Sequence, residues 1–186
     1  MNELLSRIQD AHKKTPVDIR INALKELYTE FSNSYSKEAE YVYTVLPILL
    51  KRLDDKPEVI IEAEKVTQLL ISKVSIQALP IMIQLLANEM TIESKWRAKV
   101  GSLNVLSSYL SRVFTFDRDL LSACLPELVS VITPMLHDTK PEVAELSNKV
   151  LLQAMKGITN RDLEPFTDEL LNAMIFREDT EETIQK

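Results

Sequence analysis

One short arrangement of residues occurs three times in the chain and constrains its fold more than any other feature. A threonine or aspartate comes one or two positions before a proline, and an acid follows it by three positions, at 15–18, 55–58 and 139–142. Proline is tolerated in the first turn of an α-helix because the amides there have no partner within the helix. Threonine and aspartate cap helix starts, and an acid three residues later reaches back to the cap. We therefore predict that a helix begins at each segment, capped by Thr15, Asp55 and Thr139.

The spacing of these segments predicts a repeat of helix pairs. Their prolines are Pro16, Pro57 and Pro141, so the second interval is close to twice the first. The first interval lies within the period of about 40–47 residues, with two helices in each period, that is typical of HEAT repeats. One start is missing from this series. We expect it near residue 95, where the chain reads ESKWRAKV and Ser94 is available as a cap.

A second series of prolines marks the partner helices. Leu-Pro steps occur at 46–47, 79–80 and 125–126, each followed by an apolar run. We expect the first helix of a pair to bend at this step, since a proline interrupts the backbone hydrogen bonds. Apolar residues elsewhere recur at steps of three and four, which places them on one helix face. These stripes are Val17, Ile21, Leu24, Tyr28 and Phe31; Trp96, Val100, Leu103, Leu110 and Val113; and Val143, Leu146, Val150 and Ala154.

These patterns together predict a single all-α domain over residues 1–186. We expect an α-solenoid of about four to five HEAT-type antiparallel helix pairs, an armadillo-like superhelix, with no strand. The pairs fall roughly at 2–33, 37–73, 75–114, 118–157 and 162–186. A helix pair buries its apolar stripe only by stacking on neighbours. The short last pair would leave Leu170, Leu171 and Ile175 partly uncovered, which predicts either a longer solenoid or a partner at that end.

The composition argues against several classes of function. Gly101 and Gly157 are the only glycines among 186 residues, too few for a phosphate-cradling loop. The single cysteine, Cys124, lies in an apolar stretch and permits neither an internal disulfide nor a cysteine-based zinc cluster. His12 and His137 lack a metal-ligand spacing. We therefore predict no catalytic residue, no metal site and no cofactor, and interpret the chain as a binding protein rather than an enzyme.

The chain also lacks the sequence signs of a membrane or secreted protein. Its N-terminus, MNELLSRIQDAHKK, is polar and has no signal core, and no apolar run approaches the ~20 residues needed to span a bilayer. We predict a cytoplasmic location, no membrane partner and no small-molecule substrate. The net charge of −6 argues against nucleic-acid binding by the chain as a whole, but it allows a local basic ridge.

Basic residues concentrate in the turns inside the helix pairs, which lie along one edge of a solenoid. Stacked turns would form a ridge that follows a phosphate backbone or an acidic protein surface. The candidate contact residues are Lys51, Arg52, Lys56, Lys95, Trp96, Arg97, Lys99 and Lys140. Lys13, Lys14 and Arg177 lie in the outer turns. Acids such as Asp54, Asp55 and Asp138 share these turns, so a mixed solvated edge is the alternative interpretation.

Three segments of the sequence also resemble a known family. ESKWRAKVGSLNVLSSYL at 93–110, LLSACLPELVSVITPMLHDTKPEV at 120–143 and TNRDLEPFTDELLNAM at 159–174 are similar to the HEAT-repeat region of fungal translation elongation factor 3. Related ABC-type translation factors share this region, including the general-control translational activator. The resemblance runs from about residue 41 to the end, and the segment 1–40 fits a generic helix pair. Pro165 departs from the family pattern in the last pair.

The resemblance implies a module that docks a translation factor on the ribosome, in contact with small-subunit rRNA and proteins. It also implies that ATP hydrolysis belongs to ABC cassettes, which this sequence does not contain. Lys95, Arg97, Lys99 and Lys140 are the contact residues that the resemblance favours. The alternative hypothesis is a generic protein–protein interaction scaffold unrelated to translation.

Overall fold

The structure, a computed structural model, describes residues 2–9, 15–33, 42–91, 93–156, 158 and 163–168. These residues form helices joined by turns, and none of them lies in a strand. The α-helices are α1 (Asn2–Gln9), α2 (Val17–Asn33), α3 (Leu46–Arg52), α4 (Pro57–Lys73), α5 (Leu79–Ala87), α6 (Trp96–Phe116), α7 (Arg118–Ala123), α8 (Leu125–Ile132) and α9 (Pro141–Met155). Short 3₁₀ helices occur at Ile76–Ala78, Thr133–His137 and Glu164–Phe166.

The helices form two layers, as a solenoid of stacked helix pairs requires. The first layer contains α1, α3, α5 and α8, and the second contains α2, α4, α6 and α9. Each second-layer helix packs against the next one in the chain and against the first-layer helix of its own pair. The apolar stripes meet between the layers in one continuous core. The prediction of an all-α solenoid is therefore confirmed.

The caps of the second-layer helices α4 and α9 lie one residue after the predicted caps. The cap positions of α4 and α9 are Lys56 and Lys140, and the prolines that follow occupy the first helical turn. Neither start has a side-chain cap bond. The predicted capping role of Asp55 and Thr139 is therefore wrong. The Asp55 carboxylate instead accepts the Lys56 N–H at 2.8 Å and bonds residues of other helices.

The start of α6 also differs from the prediction in its capping. The helix begins at Trp96, close to the expected residue 95, with Lys95 in the cap position. Ser94 does not cap it, because its hydroxyl bonds Thr91 inside the preceding turn, 2.8 Å from Thr91 Oγ1. Trp96 and Tyr28, assigned to apolar stripes, are 38% and 43% exposed, so the buried stripes are shorter than predicted.

Each Leu-Pro step begins a new helix, so the predicted bend is a break in the helix. Residues 42–44 are helical and Val45 forms a turn before α3 begins at Leu46. A 3₁₀ turn precedes α5 at Leu79, and Cys124 separates α7 from α8 at Leu125. Proline is favoured in the first helical turn, where its missing N–H leaves no bond unmade. The first-layer helices α3, α5 and α8 are therefore short segments that each start at a Leu-Pro step.

The repeat is less regular than the proline spacing predicted. The second-layer helices begin at Val17, Pro57, Trp96 and Pro141. The number of residues between the last two starts is therefore larger than the number between either earlier pair of starts. The longest step follows α6, which has 21 residues where α2 and α4 have 17. Pro16 also lies just before its helix whereas Pro57 lies inside one, so equal proline spacing does not mean equal repeats.

The predicted fifth pair is described only at residues 163–168, where Pro165 lies in the 3₁₀ helix. Leu170, Leu171 and Ile175 lie outside the described residues. No single helix of the described chain is long and apolar enough to cross a membrane. Of the described helices, only α4 taken together with Ile76–Ala87 meets that criterion, across a bend of 111°.

Gly101 lets α6 pack closely against Leu53 of the preceding pair. A Cβ at this position would overlap Cδ1 of Leu53 and lie 3.0 Å from the Leu53 Cβ. Leu53 itself is buried at the end of α3. Glycine inside a helix is normally unfavourable, so its presence here reflects the space that Leu53 occupies.

We predict that Gly101→Ala lowers the free energy of unfolding by about 1 kcal/mol, because overpacking outweighs the usual gain in helix propensity. Asn104→Ala, at an exposed position of the same helix, serves as the control and should raise stability. Urea unfolding of both variants, and of Gly101→Ala combined with Leu53→Ala, measures the contact. A gain in stability from Gly101→Ala alone would contradict the packing described here.

Candidate functional site

The turns inside the pairs are joined to one another by charged side chains. Arg20 of α2 reaches the turn of the second pair, Lys95 pairs with that same turn, and Lys99 of α6 reaches the turn of the fourth pair. Side chains 35 to 41 positions apart in sequence are therefore in contact along this edge. The charges of the edge divide into buried groups that join the pairs and exposed groups that are available to a partner.

Arg20 belongs to the buried group. Its guanidinium pairs with the Asp55 carboxylate, and the two side chains are only 5% and 11% exposed. Arg52 donates to the same carboxylate at 3.1 Å, and its side chain is also mostly buried. A buried charge is tolerated when a counter-ion and hydrogen bonds accompany it. Arg52, one of the predicted contact residues, therefore serves mainly to hold the turn of its own pair.

Lys99 also belongs to the buried group, contrary to the expectation that it contributes to an exposed ridge. Its Nζ lies 2.7 Å from the Asp138 carboxylate, and the two side chains are 6% and 8% exposed. The cause is its position as the fourth residue of α6, which faces the neighbouring pair. Arg20 occupies the same fourth position in α2. This shared position is the sequence signal that would have identified Lys99 as a structural residue.

The environment of Asp138 favours its charged form. Burial acts to raise the pKa of this carboxyl, but the hydrogen bonds from Lys99 and from the Lys140 N–H, with the charges of both lysines, lower the pKa below its ordinary value. The ion pair of Lys99 and Asp138 is therefore complete at neutral pH. At pH values above the pKa of an aspartate in the unfolded chain, this ion pair stabilises the fold. The stabilisation is lost as the pH falls through the lowered pKa of Asp138 in the folded chain.

Lys95, Trp96 and Arg97 form the exposed group at the start of α6, which we call the α6 cluster. Lys95 is 69% exposed although it pairs with Asp54, and Trp96 is also exposed. The Arg97 guanidinium lies 5.3 Å from the centre of the Trp96 ring, within the range of a cation–π contact. The aromatic ring and the two cations thus form one continuous surface.

The first turn of α6 differs in charge from those of its neighbours. The first turns of α2, α4 and α9 contain the acids Asp18, Glu58 and Glu142, whereas that of α6 contains none. An acid there normally balances the positive end of the helix dipole. Arg97 adds to that positive potential, which is unfavourable for the helix alone and favourable for binding an anion.

The remaining predicted contact residues lie in the turns on either side. Lys56 and Lys140 occupy the cap positions of α4 and α9, equivalent to Lys95 in α6, and all three are exposed. Lys51 is exposed near the end of α3. The ion pairs found among the described residues include none with Lys51, Lys56 or Lys140. Lys56 and Lys140 thus lie on either side of the α6 cluster, at positions equivalent to that of Lys95.

Sequence reasoning missed a second set of cations at the opposite ends of these helices. The Lys73 ammonium donates to the carbonyl oxygens of Phe31 and Ser32 at the end of α2. The Arg112 guanidinium donates to the carbonyl oxygens of Ile71 and Val74 at the end of α4. Lys73 and Arg112 are each the seventeenth residue of their helix, a regularity that could have revealed them. They satisfy the unpaired carbonyls that every helix end exposes.

The remaining residues singled out in the sequence are either core residues or lie outside the described ranges. Cys124 is buried, as predicted for a small core residue; burial, with a smaller effect of the Glu127 charge, raises the pKa of its thiol. Phe31, on the first apolar stripe, is buried. Within the described ranges no group of three or more His, Cys, Asp or Glu residues could hold a metal ion. His12, Lys13, Lys14 and Arg177 lie outside those ranges.

Comparison with known proteins shows which of them this chain is similar to. A family model described as the EF3 N-terminal HEAT repeat matches residues 1–151. Elongation factor 3 of Gonapodya prolifera is 30% identical over 173 residues, which cover 92% of this chain and 15% of that protein. Elongation factor 3 of Candida glabrata is 25% identical over 183 residues (98% and 17%), and elongation factor 3B of Saccharomyces cerevisiae is 24% identical over 164 residues (88% and 15%).

The chain spans about a sixth of the length of these relatives. The family match includes the segment 1–40, for which the sequence alone predicts only a generic helix pair. Among solved structures, the crystal structure of an engineered protein covers 90% of this chain and 68% of its own, at 17% identity and a TM-score of 0.49.

Because Lys99 is buried and Lys95 is exposed, replacing each by methionine should change the free energy of unfolding by unequal amounts. Lys99→Met leaves Asp138 buried without its counter-ion and should lower the free energy of unfolding by about 3 kcal/mol. Lys95→Met removes an exposed pair and should change it by less than about 1 kcal/mol. Urea unfolding at neutral pH measures both. Equal losses would show that Lys99 is not the buried partner of Asp138.

Proposed function

Because the chain belongs to the family of EF3 N-terminal HEAT repeats, we propose that it is a non-catalytic docking module that binds the ribosome through the ridge centred on the α6 cluster. Lys95, Trp96 and Arg97 provide the central contact. Lys56 and Lys140 flank it, and Lys51 extends it. The expected partners are small-subunit rRNA and ribosomal proteins. Arg52 and Lys99 are left out of this contact set, since both are held inside the protein.

The exposure of Trp96 beside two cations is the observation that carries the proposal. Trp96 is 38% exposed and lies against Arg97, at a helix start whose first turn contains no acid. An aromatic face flanked by cations suits RNA, because bases stack on the ring while Lys and Arg neutralise phosphates. The flanking lysines recur at equivalent positions, which suits a backbone with regularly spaced charges.

The resemblance supports a translation partner over a generic scaffold. The relatives are named elongation factors, and this chain matches a terminal HEAT-repeat region of that family rather than an ATP-hydrolysing segment. We therefore place any nucleotide chemistry outside this module and in separate cassettes. A cytoplasmic location follows from a ribosomal partner. A generic protein scaffold is the competing function, and it requires no preference for ribosomes.

The proposal predicts that Lys95→Glu/Arg97→Glu abolishes binding to purified ribosomes. Both residues are exposed, and Glu at the position of Arg97 is the residue that α4 and α9 have in their first turns, so the fold should be retained. Co-sedimentation at low and moderate salt measures binding, which should weaken steeply with salt because several phosphate contacts are involved. Circular dichroism and thermal unfolding verify that the variant is folded.

A charge-matched control separates this surface from the effect of net charge. Lys25→Glu/Lys156→Glu makes the same change in charge at exposed positions in the middle of α2 and at the end of α9, away from the turns. This variant should still co-sediment with ribosomes. Failure of the unmodified chain to sediment with ribosomes at low salt, or equal loss in both double variants, would favour the generic scaffold.

A further inference from the structure

The three junctions between successive helix pairs are not joined in the same way. At the first junction Arg20 of α2 pairs with Asp55 inside the protein, and at the third junction Lys99 of α6 pairs with Asp138 in the same manner. Each of these cations is the fourth residue of its helix. The fourth residue of α4 is Ile60, which cannot form an ion pair. Among the described residues, the turns of the second and third pairs therefore have no buried ion pair between them.

The pair of Lys95 and Asp54 joins these two turns instead. Asp54 lies in the turn of the second pair and Lys95 precedes α6 in the third, and their side chains are 20% and 69% exposed. Next to Asp54 in the chain, Leu53 packs against Gly101, which has no side chain to interlock with it. An exposed ion pair contributes little, whereas breaking a buried one leaves a charge without its counter-ion. The turn edge of the second junction is therefore the easiest of the three to open.

The opposite ends of α4 and α6 are held by hydrogen bonds from less exposed side chains. The Arg112 guanidinium donates to the carbonyl oxygens of Ile71 and Val74 at the end of α4. The Tyr109 side chain is fully buried, and its hydroxyl donates to the Ser75 carbonyl oxygen. Between the two ends, α4 packs less extensively against α6 than α2 packs against α4 or α6 against α9. The second junction thus has the form of a hinge, with its axis at Arg112 and Tyr109 and its free side at the turn edge.

We propose that Asp54 holds Lys95 in the free chain, and that an RNA phosphate backbone opens the turn edge of the second junction by taking Lys95 from it. Lys95 belongs to the α6 cluster, so the ligand named here rests on the proposed function. The Lys95 ammonium gives up its bond to the Asp54 carboxylate when it bonds a phosphate oxygen, because both anions use the same charged donor. Loss of the carboxylate therefore favours both the open junction and the bound RNA.

Spin labels at the two ends of the helices measure whether the junction opens as a hinge. In a Cys124→Ala background, labels at Glu58→Cys and Glu142→Cys report the distance between α4 and α9 at the turn edge. Labels at Ser72→Cys and Lys156→Cys report the distance between the opposite ends of the same two helices. All four labelled positions are exposed, and both spans cross α6. Double electron–electron resonance gives the two distance distributions.

In the free chain, Asp54→Asn should shift the turn-edge distance to larger values and leave the opposite-end distance unchanged. Lys95→Met breaks the same ion pair from its other side and should give the same shift. The control is Glu30→Gln, which removes one negative charge at an exposed position in the last turn of α2 and should give no shift. Addition of a fluorescein-labelled oligouridylate to the chain with Asp54 and Lys95 intact should reproduce the shift.

Binding of the oligouridylate, followed by fluorescence anisotropy, tests whether Asp54 competes with phosphate. Asp54→Asn should bind this RNA about threefold more tightly at low salt, because no carboxylate then competes for Lys95. Glu30→Gln removes the same charge far from the turns and should gain less, since salt screens distant charges. Lys95→Met should bind more weakly than the unmodified chain although its junction is open, because it lacks the cation that the phosphate takes.

Four results would overturn the proposal. They are an unchanged turn-edge distance in Asp54→Asn, bound oligouridylate that leaves this distance unchanged, equal gains in affinity for Asp54→Asn and Glu30→Gln, and no binding of oligouridylate at low salt. A different result would overturn the proposed function alone. If the chain does not sediment with ribosomes, while Asp54→Asn and oligouridylate both open the turn edge, ribosome docking is refuted and the competition between Asp54 and phosphate is supported.

Discussion

A buried cation must be paired with an acid, and this requirement governs how the helix pairs stack. Arg20 and Lys99 each extend from the first turns of a second-layer helix to an aspartate in the turn of the following pair. Leaving either charge unpaired in the interior would be strongly unfavourable, so the two turns are held together. Lys73 and Arg112 act at the other ends of the helices, where they bond the last carbonyl groups of the preceding helix.

These ion pairs and hydrogen bonds also account for where the surface is available for binding. Between the second and third pairs no buried ion pair joins the turns among the described residues; the exposed pair of Lys95 and Asp54 is found there instead. The α6 cluster lies at the turn edge of this same junction. The junction that lacks a buried ion pair between its turns is therefore the one that presents the α6 cluster.

The sequence predicted most features that depend on local chemistry, although not the caps of α4, α6 and α9, and failed where a distant residue decides. The helix period, the Leu-Pro steps and the burial of Cys124 follow from residues close in the chain. Whether Lys99 is buried depends on an acid 39 positions away, so Lys95 and Lys99 look equivalent in sequence although their side chains are 69% and 6% exposed. The unequal repeat was hidden because two prolines in similar segments occupy different positions relative to the helix start.

The cations of the turns thus divide into a buried set that joins the pairs and an exposed set available to a partner. Limited labelling of lysine amines in the native chain, quantified residue by residue by mass spectrometry, tests this division most directly. Lys56, Lys95 and Lys140 should react at similar rates and Lys99 at least about tenfold more slowly, because labelling there requires local opening. In denaturant the four should become equivalent. Native labelling of Lys99 as fast as Lys95 would contradict this account.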